Sequence, residues 1–211
     1  MSLIYQENIN NHAIVGVWKS DESLEWFLEN TFLTPDDMTI IKSTKLEKRK
    51  IEKLATRILL QKLIPLFGYN YNGLIKLATG KPCLHNCNLD MSVSHCKGYV
   101  AVLLTKGSRA GIDIQDHSLK IKTIAHRVFS EREIETFNND LKLYTRAWSA
   151  KEALFKFYEK GGINFIRDLS LYSINDLTEF HGLCKKNSID GSIKLHGIAF
   201  DPIFELIYCY D

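Results

Sequence analysis

An α+β fold is the class this sequence predicts, on three observations. Ile51, Leu54, Ala55, Ile58 and Leu59 recur at i, i+3, i+4, i+7 and i+8, the repeat of an amphipathic helix. Residues 90 to 95 and 99 to 105 alternate instead, across Cys96-Lys97-Gly98, as the arms of a β-hairpin do. Beyond residue 160 alternating segments return near 168 to 174, 179 to 186, 191 to 199 and 203 to 210, and these predict an antiparallel sheet in the second half.

The remaining elements follow in chain order. Residues 12 to 18 read as a strand, 21 to 30 and 35 to 65 as largely helical, with Pro65 and Gly68 closing the long helix. Lys106-Gly107-Ser108-Arg109 reads as a hinge, which divides the chain into halves 1–106 and 107–211. Gly111-Ile112-Asp113-Ile114-Gln115 alternates like a half-buried strand, with Ile112 and Ile114 on one side and Asp113 and Gln115 on the other. Ser130-Glu131-Arg132-Glu133 is a capping-box start, residues 143 to 160 form a helix, and Gly161-Gly162 ends it.

Composition narrows the function classes. With 211 residues, 45% hydrophobic and 25% charged, the chain can bury one good core or two small ones. The segment MSLIYQENINNH lacks a basic, apolar leader pattern, and no apolar run approaches the roughly 18 residues of a membrane helix, so the expectation is a cytoplasmic protein without a membrane partner. Five cysteines without framework spacing predict reduced thiols. A zinc cluster of Cys83, His85, Cys87, His95 and Cys96 is set aside, because the spacing fits no C-x2-C pattern. Between Lys42 and Lys62 eight Lys or Arg face only Glu47 and Glu52, a local excess of six positive charges that favours acidic ligands. Nucleic acid is not the expected partner, since no aromatic residues interleave with these cations.

The stretch that carries most chemistry is Trp148-Ser149-Ala150-Lys151-Glu152-Ala153-Leu154-Phe155-Lys156. As a helix it puts Trp148, Glu152 and Lys156 in one i, i+4, i+8 row beside an apolar face of Ala147, Leu154, Phe155 and Tyr158. An exposed Glu/Lys pair on an ordinary helix would look the same. Lys151, however, falls inside the apolar arc, where a lysine is rarely placed without a partner or a task. Gly111 permits a close backbone approach, so Asp113 could meet Glu152 across a cleft, although a strand-end Asp facing solvent fits the same alternation. Two carboxylates with substrate phosphates would suit magnesium.

Together GIDIQ at 111–115 and WSAKEALFK at 148–156, with Gly80-Lys81-Pro82 and Ser92-Val93-Ser94-His95 before them, resemble the signature of the 4'-phosphopantetheinyl transferase superfamily, Sfp type. The Ala55-Thr56-Arg57-Ile58-Leu59-Leu60 stretch is similar to a helix of that family. The resemblance implies a fold of two similar α+β halves related by a pseudo-twofold. It implies transfer of the 4'-phosphopantetheine arm of coenzyme A to a serine of an apo acyl or peptidyl carrier protein, with release of adenosine 3',5'-bisphosphate by a monomer. By the same resemblance Asp113 and Glu152 hold Mg2+, Glu152 is the base, and Lys156 stabilises the leaving group. The resemblance makes the first half the coenzyme A phosphate-binding side, with Arg57, Lys81, Ser94 and His95, and adds Lys151 of the second half as a phosphate ligand. Gln115 departs from the family's Glu at that place and is expected near the metal. Lys120, Lys122 and Arg127 could meet an acidic carrier. The alternative is a noncatalytic carrier- or nucleotide-binding module.

Overall fold

The computed structural model describes residues 2–76, 80–158, 161–174, 179–185 and 192–211. It divides into two compact units, Met1–Ser108 and Arg109–Asp211, each with an antiparallel sheet and one long helix packed against it.

The first unit runs β1 (Leu3–Asn10), β2 (Ala13–Lys19), α1 (Leu24–Asn30), α2 (Pro35–Ser43), α3 (Glu47–Leu63), β3 (Leu74–Lys76), β4 (Pro82–Leu84), β5 (Asp90–Cys96) and β6 (Tyr99–Thr105). Its main sheet has the order β1-β2-β6-β5. The β5–β6 turn has positive φ at both Lys97 (44°) and Gly98 (85°), the conformation whose twist suits a two-residue hairpin. Leu54, Leu59 and Leu63 of α3 are buried in one cluster with Trp18, Val100 and Val102 of the sheet.

The helix expected over 35–65 is two helices. Thr44 caps the end of the first: its backbone is extended, its N–H reaches back to the Ile41 carbonyl (3.2 Å) and its hydroxyl to the Ile40 carbonyl (2.7 Å). β1 was not foreseen: most of its side chains are exposed, so no apolar alternation marks it, and its pairing with β2 holds it.

In the second unit β7 (Ala110–Asp116) is followed by α4 (Lys120–Val128), α5 (Glu131–Phe137), α6 (Leu141–Tyr158), β8 (Leu169–Tyr172), β9 (Glu179–Cys184), β10 (Ile193–Ile198) and β11 (Phe204–Tyr210). The sheet order is β7-β11-β10-β9-β8. Ser130 and Glu133 form the expected capping box at α5. The helix expected over 143–160 already begins at Leu141, while 159–160 lie outside the described residues, as do 186 and 191 at the edges of two expected strands.

Small residues let α6 lie close on β7 and β11. Ala147, Ala150 and Ala153 are fully buried, and a Cβ on Gly111 would sit 2.2 Å from the Ala153 carbonyl oxygen. Two expectations are corrected here. Phe155 is exposed rather than part of the apolar face, and β7 is not half-buried, since Asp113 is as buried as its Ile neighbours under α6. All five cysteines are free. Among the described residues no helix is long and apolar enough to cross a membrane.

Candidate active site

The approach of α6 to β7 brings three chemical side chains together. Asp113 Oδ1 accepts from Lys156 Nζ (2.9 Å) and Oδ2 from the Ser149 hydroxyl (3.0 Å). Lys156 Nζ also donates to the Ile112 carbonyl (2.9 Å), so two of its three N–H groups hold the strand. Glu152 lies one turn before Lys156, within electrostatic reach of both Asp113 and Lys156. Ser149 escaped the sequence reading, yet 149, 152 and 156 share the i, i+3, i+7 face, and that spacing could have found it.

Burial, reinforced by the Asp113 charge and opposed by Lys156, pushes the Glu152 carboxyl from its ordinary 4.5 up to about 7. A carboxyl raised in the folded state favours folding while protonated, so this contribution is complete below about 4.5 and is lost as pH rises through about 7. In metal-free protein the urea midpoint of the wild type should therefore fall across that interval relative to Glu152→Gln. Parallel pH profiles for the two proteins would refute the raised carboxyl.

Among the described residues no group of three or more His, Cys, Asp or Glu side chains is arranged to hold a metal. The donor set is a carboxylate pair. Asp113 is already oriented by Ser149 and Lys156, whereas Glu152 makes no hydrogen bond among the described residues. Such a pair suits an ion that keeps several waters and takes substrate phosphate oxygens, as Mg2+ does, better than one needing an all-protein cage. Gln115, two residues along β7 from Asp113, turns its amide to Asp116 Oδ1 (3.3 Å).

Lys151, expected at a coenzyme A phosphate, is engaged within the fold. It is fully buried, and its ammonium donates to the Val128 carbonyl (3.0 Å), Glu133 Oε2 (2.9 Å) and the Phe165 carbonyl (3.0 Å), so all three donors are spent. Burial lowers its pKa and Glu133 opposes that shift. It ties α6 to the start of α5. Lys122 similarly donates to the backbone and side-chain oxygens of Asn139 (2.7 and 2.6 Å).

In the first unit the expected phosphate ligands fall into separate groupings. His95, 41% exposed, lies 3.2 Å from Arg49 Nη1, which also donates to Glu52 (2.8 Å). Ser94 is buried, and strand alternation turns it to the opposite face of β5. Lys81 pairs with Asp90 (2.7 Å). Arg57 is only 3% exposed. Its Nε donates to Asp37 Oδ1 (2.7 Å) and Nη1 to the Lys53 carbonyl (3.0 Å), while Tyr71 donates to the other Asp37 oxygen (2.8 Å). Its charge, expected to meet a phosphate, is met by Asp37 in this structure. Arg57→Ala should cost about 3–5 kcal/mol by stranding a buried Asp37. A melting temperature unchanged by that substitution would contradict the pair. Arg49 is one of the eight cations between Lys42 and Lys62, and only the strand–helix packing sets it beside His95.

Lys53 lies among Arg57, Lys76 and Arg49, and its pKa is lowered first by burial and then by these cations. A group of cations that repel one another favours an anion nearby.

Residues 109–195 match the sequence model of the 4'-phosphopantetheinyl transferase superfamily. No curated protein matches the chain significantly.

Proposed function

We propose that this chain, whose residues 109–195 are of the 4'-phosphopantetheinyl transferase superfamily, transfers the 4'-phosphopantetheine arm of coenzyme A to a serine hydroxyl of an apo acyl or peptidyl carrier protein. The observation that carries the reading is the Asp113–Lys156 pair with Glu152 beside it, an acidic pair and a cation on one helix–strand junction. Asp113 and Glu152 are the residues that would hold Mg2+, which when bound draws charge from the pyrophosphate oxygens. Glu152, without another hydrogen bond among the described residues, takes the serine proton. Lys156, held by Asp113 and the Ile112 carbonyl, keeps one N–H for the departing phosphate of adenosine 3',5'-bisphosphate. Gln115 positions water at the edge of this site rather than supplying a third charge. A cytoplasmic monomer is part of the same reading.

His95 and Arg49, both exposed, are the candidates for the 3'-phosphate of coenzyme A, because Arg57 and Lys151 are buried against Asp37 and Glu133 and Lys81 is paired with Asp90. Dephospho-coenzyme A should then bind more weakly than coenzyme A by about tenfold, the worth of a charge-assisted hydrogen bond. His95→Ala and Arg49→Ala should each narrow that gap. Equal calorimetric affinity of the wild type for both compounds would remove these residues from the assignment.

The activity itself is tested by incubating the protein with coenzyme A, Mg2+ and an apo carrier and weighing the carrier. A mass gain of one phosphopantetheinyl group supports the transferase. Tight binding of coenzyme A or carrier with no mass gain would support the noncatalytic module instead.

A further inference from the structure

Asp113 is a buried carboxylate, 6% exposed, and it meets the ammonium of Lys156 at 2.9 Å from Oδ1. A carboxylate in the interior keeps its charge only with such a counter-charge or with a metal ion beside it. Glu152 brings a second carboxylate to the same junction, and there the Lys156 charge acts against that of Asp113. The lysine thus already performs, electrostatically, what a divalent ion held by the two acids would perform.

The two cations compete for Asp113. An ion shared by Asp113 and Glu152 would stand against an ammonium that donates to the same carboxylate, and like charges at such range repel strongly. Lys156 is built to yield. Its side chain is 27% exposed on an unbranched stem in the last turn of α6, and its other acceptor, the Ile112 carbonyl at 2.9 Å, is backbone that remains when Asp113 is given up. Lys151, five residues earlier, has no such freedom, being fully buried with three acceptors. Ser149, which donates to Asp113 Oδ2 at 3.0 Å, keeps the carboxylate oriented when the lysine leaves Oδ1.

We propose that Lys156 is the resident counter-cation of the candidate metal site, and that a divalent ion is admitted by displacing it from Asp113 toward an anionic ligand. The inference rests on the transferase reading for the roles of Asp113 and Glu152 as metal ligands. An anion that draws Lys156 away frees Asp113 for the ion, and by linkage the ion releases Lys156 to the anion by the same factor. The pyrophosphate of coenzyme A is that anion under the transferase reading. Without it the divalent ion is held weakly, so metal and coenzyme A bind cooperatively.

The first test is binding of Mn2+ to the full-length protein, followed by electron paramagnetic resonance. Lys156→Met should bind Mn2+ about tenfold more tightly than the wild type, the worth of the charge-assisted contact that no longer competes. The gain in Mn2+ affinity that coenzyme A gives should be smaller in the variant by the same factor. The second test needs no variant to fold: in wild-type protein labelled with 15N at lysine side chains, Mg2+ alone at saturation should shift the Lys156 ammonium resonance and leave that of Lys151 in place. The inference is overturned, with the metal pair intact, if the wild type binds Mn2+ and Lys156→Met binds it no more tightly, or if saturating Mg2+ leaves the Lys156 resonance unmoved. Failure of the underlying reading looks different. Asp113→Asn would then bind Mn2+ as well as the wild type does, or neither protein would bind it at millimolar concentration with coenzyme A present, and the inference would fall with the metal site.

Discussion

Asp113→Asn should lower phosphopantetheine transfer at least about a thousandfold, with Glu152→Gln falling as far, because each variant removes one charge of a two-carboxylate site and also disables proton transfer or cation placement. The two losses have different local causes. Asp113 holds Lys156 Nζ at 2.9 Å and accepts from Ser149, so the amide keeps the shape and the Ser149 contact while losing the charge that orients the lysine. Glu152 is not engaged in that way, and its replacement takes away the carboxyl that burial and Asp113 have pushed to about 7. Both variants should stay folded, since Lys156 is partly exposed and can be rehydrated. The check is the mass of the carrier with time, beside a thermal melt of each variant. Transfer by folded Asp113→Asn within tenfold of wild type would sink the assignment.

Gly111→Ala should lower stability and activity together. A Cβ there would meet the Ala153 carbonyl oxygen at 2.2 Å and the Phe157 Cβ at 2.8 Å, and neither belongs to a flexible side-chain end that could swing away. Relief requires α6 to move off β7. Overpacking of this kind costs about 1–3 kcal/mol, more when backbone must shift, and for a unit of this size that lowers the melting temperature by roughly 10 °C or more. Moving α6 also carries Glu152 and Lys156 away from Asp113, so activity should fall with stability. A melting temperature within two degrees of wild type would show that the close approach is not required.

Much of the architecture was legible because its signals are local. The 3.6-residue repeat of α3, the hairpin turn at Lys97-Gly98 and the Ser130/Glu133 box each depend on residues within a few positions of one another. The edge strand β1 was not legible, since an exposed polar strand bears no apolar alternation. The break at Thr44 was also not legible, because Thr56 in α3 and Thr145 in α6 make the same hydroxyl bond to a carbonyl four residues earlier without ending their helices, so the residue type marks no boundary.

The candidate site divides along the same line. That Glu152 and Lys156 share a helix face, that Asp113 lies on a strand opened by Gly111, and that Lys151 points inward all follow from repeats of 3.6 and 2 residues, which neighbours in the chain determine by themselves. Which cations remain available to a ligand does not. Lys151 is taken by Glu133, 18 residues earlier, and Arg57 by Asp37, 20 residues earlier, while Arg49 is brought to His95 from 46 residues away. Tertiary packing alone decides this, because a charge drawn into the interior must take the counter-charge or carbonyl that the fold brings within reach, and no local pattern records that distance.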